Sequence, residues 1–203
     1  MATTAAPYGL KPVKRADGMP YAGATSQYLI DPAGEGTNLF YGQVVHIGAD
    51  GYIALSTATG ADGTTNAFPT GTTLTGSLGV FVGCEYTNSS GQLVQAQYYP
   101  SATAGGVIKA YVVDDPNVLF QVQADGAMDQ SDIGANTFFP AVQSTSTGST
   151  TTGNSNSAVD ATTVTTTAAF RIVAAVSPIG DAFPDLLVKF NPGYSSATNA
   201  VGL

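Results

Sequence analysis

Short runs of β-branched and aromatic residues, each closed off by Gly, Pro, Asn, Asp or Ser, recur along most of the chain and constrain its fold more than any other feature. Apolar residues in them follow strand rather than helical spacing. Ten segments qualify: Ser26–Ile30, Tyr41–Ile47, Tyr52–Ser56, Leu78–Thr87, Gln92–Tyr99, Val107–Val113, Val118–Gln123, Thr137–Gln143, Ala169–Val176 and Asp185–Phe190. The expectation is an all-β protein, an antiparallel β-sandwich or barrel. Two hairpins are signalled directly. Asp50-Gly51 lies between Val44–Ile47 and Tyr52–Leu55, and glycine tolerates the positive φ of a tight turn. Asn88-Ser89-Ser90-Gly91 lies between Phe81–Thr87 and Leu93–Tyr99. Helix is signalled weakly, as one or two turns within Ala127–Ala135, where Asp125, Asp129 and Asp132 favour the positive end of the helix dipole.

Three stretches break the rhythm. Residues 1–25 carry three prolines and scattered apolar residues without a period, which predicts an extended N-terminal arm ahead of a β domain over 26–203. Residues 144–167 form a long Ser/Thr-rich loop with four apolar residues in twenty-four. Ordering it costs roughly 24–48 kcal/mol at about 1–2 kcal/mol per residue. Four small side chains, each worth under about 3 kcal/mol when buried, do not offset that. The loop is therefore expected to stay mobile or to lie against something else. Residues 194–203 read as a polar C-terminal tail.

Of the 203 residues, 43% are hydrophobic, enough for a real core, while only 10% are charged. Ordinary globular proteins carry about 25%. The surface must then be built largely from hydroxyls, amides, glycine and small apolar groups, which suits contact with other protein. The net charge is −8, and from Ala16 onward Lys109, Arg171 and Lys189 stand alone against all fourteen acids. DNA is bound by Lys and Arg that displace counterions, so direct contact with nucleic acid is not expected. No stretch approaches the ~18 consecutive apolar residues of a membrane span. The opening Met1–Tyr8 lacks the charged and apolar regions of a secretory signal, so a cytoplasmic site of synthesis is expected. Asn88-Ser89-Ser90 matches a glycosylation pattern, which carries no meaning without secretion.

Candidate chemistry is thin. Cys84 is the single cysteine, which permits no intrachain disulfide, and its apolar neighbours predict a buried, inert thiol. His46 is the single histidine, lies in an expected strand and has no nucleophile elbow beside it. One Cys and one His do not make a zinc site. Gly34-Glu35-Gly36 lacks the strand, the helix and the third glycine of a nucleotide fingerprint. Asp125, Asp129 and Asp132 do not follow the spacing of a calcium loop and read as turn and helix-start residues. Asp114-Asp115-Pro116 reads as a turn, and neither Glu35 nor Glu85 has a partner set beside it. The reading is a protein without catalytic residues, cofactor or metal. Tyr98-Tyr99-Pro100 and Phe138-Phe139-Pro140 read as core or interface aromatics, with sugar stacking as the other use. In the arm, Tyr8, Leu10 and Val13 are interleaved with Lys11, Lys14 and Arg15, either as an anchor laid on an acidic neighbour or as a frayed terminus.

Gly42-Gln43-Val44-Val45, Gly48–Ala54 and Gly76–Gly83 together resemble the β-tulip-type core of head decoration (cement) proteins of tailed bacteriophages. Tyr8–Val13 with Gly23-Ala24-Thr25 is similar to the openings of phage virion structural proteins, and the resemblance covers residues 8–90. It implies a β-tulip-like domain that forms a homotrimer on the exterior of the virion and clamps neighbouring subunits of the major capsid protein. Tyr8, Leu10, Lys11, Val13, Lys14 and Arg15 would make the contacts. A phage tail or fibre component with receptor- or glycan-binding loops is the alternative.

Overall fold

A computed structural model describes residues 4–48, 50–56, 77–101, 103, 105–137, 148–165 and 168–192. The chain runs through β1 (Lys11–Arg15), β2 (Ser26–Ile30), β3 (Val44–Ile47), β4 (Ile53–Leu55), β5 (Ser77–Thr87) and β6 (Leu93–Ala96). It continues through β7 (Ile108–Val113), β8 (Val118–Gln123), β9 (Asn136–Thr137), β10 (Thr163–Val164), β11 (Phe170–Ala175) and β12 (Asp185–Phe190). The fold is all-β, a sandwich of two antiparallel sheets. One has the order β1-β8-β12-β11-β9-β10; the other has the order β2-β7-β5-β3-β4, with β6 paired to the far half of β5.

The second sheet is buried on both faces near one end. Val44, Val80 and Val113 face the first sheet, where they meet Leu10, Phe120, Phe170, Ile172 and Leu186. Their chain neighbours Val45, Phe81 and Val112 enter a second cluster closed by Leu39 and Tyr99. Adjacent residues in a strand point to opposite faces, so these apolar pairs fill both cores. A register shift between Phe81 and Gly83 then brings Phe81 and Cys84, three residues apart, into the same cluster. Leu39 and Tyr99 exchange backbone hydrogen bonds of 3.0 and 2.7 Å, which seat the lid of that cluster.

Seven expected strands recur with ends moved by no more than about two residues, and Val118–Gln123, Ser26–Ile30 and Asp185–Phe190 keep both ends. Tyr41–Ile47 loses its first half because Gln43 N–H donates to the Phe40 carbonyl and Gln43 Oε1 accepts from Phe40 N–H, closing a turn. Gln92–Tyr99 shortens to β6, and of Thr137–Gln143 only Thr137 lies among the described residues, paired within β9. The helix expected in 127–135 is a single 3₁₀ turn at Gln130–Asp132.

Two expectations are corrected. The N-terminal segment is not a free arm: Lys11–Arg15 is an edge strand paired with β8, Lys11 opposite Gln121 and Arg15 opposite Val118. Pro12 lacks an N–H, and an edge strand with a register shift after Pro12 is where a sheet accommodates it. Gly9 and Gly42 make the entry possible. Both have positive φ (+82° and +86°), and a Cβ on Gly42 would lie 2.8 Å from Leu10 N. The described part of the Ser/Thr-rich stretch, 148–165, is likewise not an open loop. Ser155 N–H donates to Tyr41 O, Val159 N–H to Gln123 O, and Ser157 O accepts from Gly9 N–H. Ser155, Ser157 and Val159 are all fully buried. Backbone bonds to three distant segments, with Val159 in the core, supply what side-chain hydrophobicity does not. The tail at 194–203 lies outside the described residues.

Candidate functional site

The described titratable groups weighed as catalytic candidates make contacts within their own chain. His46 in β3 is half-buried, its Nδ1 3.5 Å from Ser56 Oγ, and burial lowers its pKa while Asp50 works in the opposite direction. Asp132 accepts hydrogen bonds from Asp129 N–H and Thr163 Oγ1, both at 2.7 Å, and Asp125 Oδ1 accepts from Ala161 N–H at 2.8 Å. Asp114 accepts from the Tyr28 hydroxyl, and Asp115 Oδ2 pairs with Arg15 Nη1 at 2.9 Å. Burial raises the Glu35 carboxyl, with Thr37 as its hydrogen-bond donor. Cys84 is fully buried, burial pushes its thiol up to about 12, and its Sγ donates to Tyr98 O. No group of three or more His, Cys, Asp or Glu able to hold a metal occurs among the described residues. No helix there is long and apolar enough to cross a membrane. Tyr98 stacks on Phe40 and Tyr99 is buried, so this aromatic pair serves the core. Phe138-Phe139-Pro140 lies outside the described residues.

The six residues expected to touch a neighbour divide into two groups. Leu10, 1% exposed, fills the space between the sheets of its own chain and is withdrawn from any external contact. The Tyr8 hydroxyl donates to Asp185 Oδ1 at 3.0 Å, and burial together with that carboxylate raises its pKa. Arg15 is shared between Asp17 and Asp115 of its own chain. Lys11, Val13 and Lys14 remain exposed along β1.

The first sheet covers one end of the second and leaves the other end open. Cross-strand register places Leu29, Lys109, Glu85 and Gln95 side by side on that open face. Alternation adds Leu93, two residues from Gln95, and Val107, two residues before Lys109. Leu29, Leu93 and Val107 are 47%, 66% and 67% exposed. The charges among them are internally matched. Glu85 accepts from Gln95 Nε2 at 3.2 Å and Lys109 Nζ at 3.3 Å, which hold its carboxyl below the usual range.

Between the covered and open regions lies a cleft of about 740 Å³. Three tyrosines, Tyr8, Tyr41 and Tyr111, and three amides, Gln95, Gln97 and Asn154, line it, with Val82, Gly83 and Cys84 of β5. Lys11 is the one charged side chain in this lining. Sequence reading missed the cleft. The alternation Gln95-Ala96-Gln97 signals two amides on one side of a strand, but their meeting with Asn154 and Tyr8 depends on long-range pairing. Searches of family models, curated proteins and solved structures found no match to this chain.

Proposed function

We propose that the protein is a structural component of a tailed-bacteriophage particle, a head decoration (cement) protein of β-tulip type. In this reading it sits as a homotrimer on the outside of the capsid and joins neighbouring copies of the major capsid protein. The observation that carries the reading is the open face of the second sheet, where the exposed Leu29 lies opposite Lys109 of the Glu85–Lys109 pair and the exposed Leu93 and Val107 stand two residues from Gln95 and Lys109. Scattered apolar residues are ordinary on a monomer, whereas exposed apolar residues grouped on one sheet face support a contact surface. Because Lys109 and Glu85 satisfy one another, docking this face leaves no unpaired charge behind. The resemblance of residues 8–90 supplies the partner. Lys11, Val13 and Lys14 on β1 offer a second contact, complementary to an acidic neighbour. Clamping across a joint resists internal pressure because parting the surfaces exposes apolar area at about 25 cal/mol per Å².

Purified protein mixed with heads assembled without it should sediment with them. Leu93→Asp and Val107→Asp, both at exposed positions, should weaken attachment by about tenfold or more while leaving the thermal transition in place. Wild-type occupancy by both variants would remove the open face as the contact.

A further inference from the structure

We propose that the tyrosine- and amide-lined cleft binds a neutral saccharide. This goes beyond shell attachment and does not depend on it. Small-molecule sites are concave, of about 300–1,000 Å³, and combine aromatic walls with a few placed polar groups, a description this cleft meets. Tyr41 and Tyr111 line it with aromatic surface against which the C–H face of a sugar packs, and the Tyr41 hydroxyl serves its polar edge.

The amides point to hydroxyl groups in particular. Gln97 Nε2 donates to Asn154 Oδ1 at 2.7 Å, which fixes the two side chains against each other. Gln97 Oε1 and Asn154 Nδ2 then have no partner among the described residues. An amide oxygen accepts and an amide nitrogen donates, so the pair presents an acceptor beside a donor. Adjacent hydroxyls of a sugar ring, each able to donate and accept, match that pattern.

Several walls are held in advance. Asp185 holds Tyr8 at 3.0 Å, and Glu85 holds both Tyr111 at 3.4 Å and Gln95 at 3.2 Å. Preorganised side chains lose little freedom on binding. The same two carboxylates stand behind the lining tyrosines and oppose an anionic ligand, for which Lys11 alone would have to compensate. A neutral polyhydroxylated ring is the class that uses the phenols and amides without confronting those acids.

The test is titration of the isotope-labelled full chain with maltotriose, lactose and chitotriose, read by amide chemical shifts, with glycerol as control. At least one saccharide should give saturable shifts at the amides of Gln95, Gln97, Tyr111 and Asn154. Gln97→Ala, at an exposed position, should weaken that binding threefold or more, about what loss of one net hydrogen bond implies. Tyr111→Phe, which keeps the ring, should retain a measurable part of it. Absence of saturable cleft shifts with all three saccharides overturns the proposal. So do shifts matched by glycerol, or binding that Gln97→Ala changes by less than threefold. The readout uses the isolated chain, so its failure leaves attachment to heads unaffected, and failure of attachment leaves the cleft unaffected.

Discussion

Gly42 sits at φ +86° with its carbonyl accepting from Leu10 N–H at 2.9 Å, and a Cβ there would also lie 2.9 Å from Gly9 Cα. Left-handed backbone costs a non-glycine residue about 1–2 kcal/mol, and overpacking adds about 1–3 kcal/mol. Gly42→Ala should therefore lower stability by about 2–5 kcal/mol in urea unfolding; a loss under about 1 kcal/mol would show that the two segments separate freely. Titration supplies a second test. Burial moves the Cys84 thiol from 9.0 to about 12, and burial with the Asp114 hydrogen bond moves the Tyr28 phenol from 10.0 to about 12. Both groups are held neutral in the fold and lose their protons more readily when it opens. Their contribution is complete below pH 9 and falls as pH rises toward 12; Cys84 carries most of the slope, up to about 1.4 kcal/mol per pH unit, while solvent screening leaves the partly exposed Tyr28 a smaller share. Thermal melts should decline over that window, and Cys84→Ala should flatten the decline. Identical slopes in the two proteins would contradict the assignment.

Among the elements, β1 carries the sharpest consequence. Leu10, just ahead of it, is buried between the sheets, and Pro12 and Lys14 of β1 pair with Phe120 and Leu119 of β8. Leu10→Ala should cost about 2–5 kcal/mol, as for other buried leucines. Removal of residues 1–15 would also open the edge of β8, so it should destabilise the body and expose apolar surface. A truncated protein that unfolds at the wild-type denaturant midpoint would restore the free-arm reading. This strand was hidden in the sequence because Lys11, Lys14 and Arg15 crowd it and Pro12 interrupts its donors, features of an edge strand as much as of an arm. Strands such as β8 and β12 were legible because dense runs of Val, Leu and Phe end at turn residues. The 148–165 segment was not, since its order rests on backbone hydrogen bonds to Gly9, Tyr41 and Gln123, none of which leaves a pattern in a Ser/Thr run. The candidate site was legible in part. Sparse charge raised the expectation of a contact surface, whereas the placing of Leu29, Leu93 and Val107 on one face required the register of β2, β7, β5 and β6.

At the scale of the whole molecule, the first sheet packs on one end of the second, and the open end of that same face carries Leu29, Leu93 and Val107 into solvent. The described residues form two buried cores and leave a charge-matched face exposed, which in the proposed reading meets a partner. With a net charge of −8, that partner is better sought in protein than in nucleic acid. Imaging heads assembled without the protein, before and after it is added, measures this most directly. The account requires added density on the outer shell, threefold in symmetry, spanning the joints between capsid subunits and meeting them through Leu29, Leu93 and Val107. Treated heads indistinguishable from bare ones, or density attached to the tail instead, would contradict it.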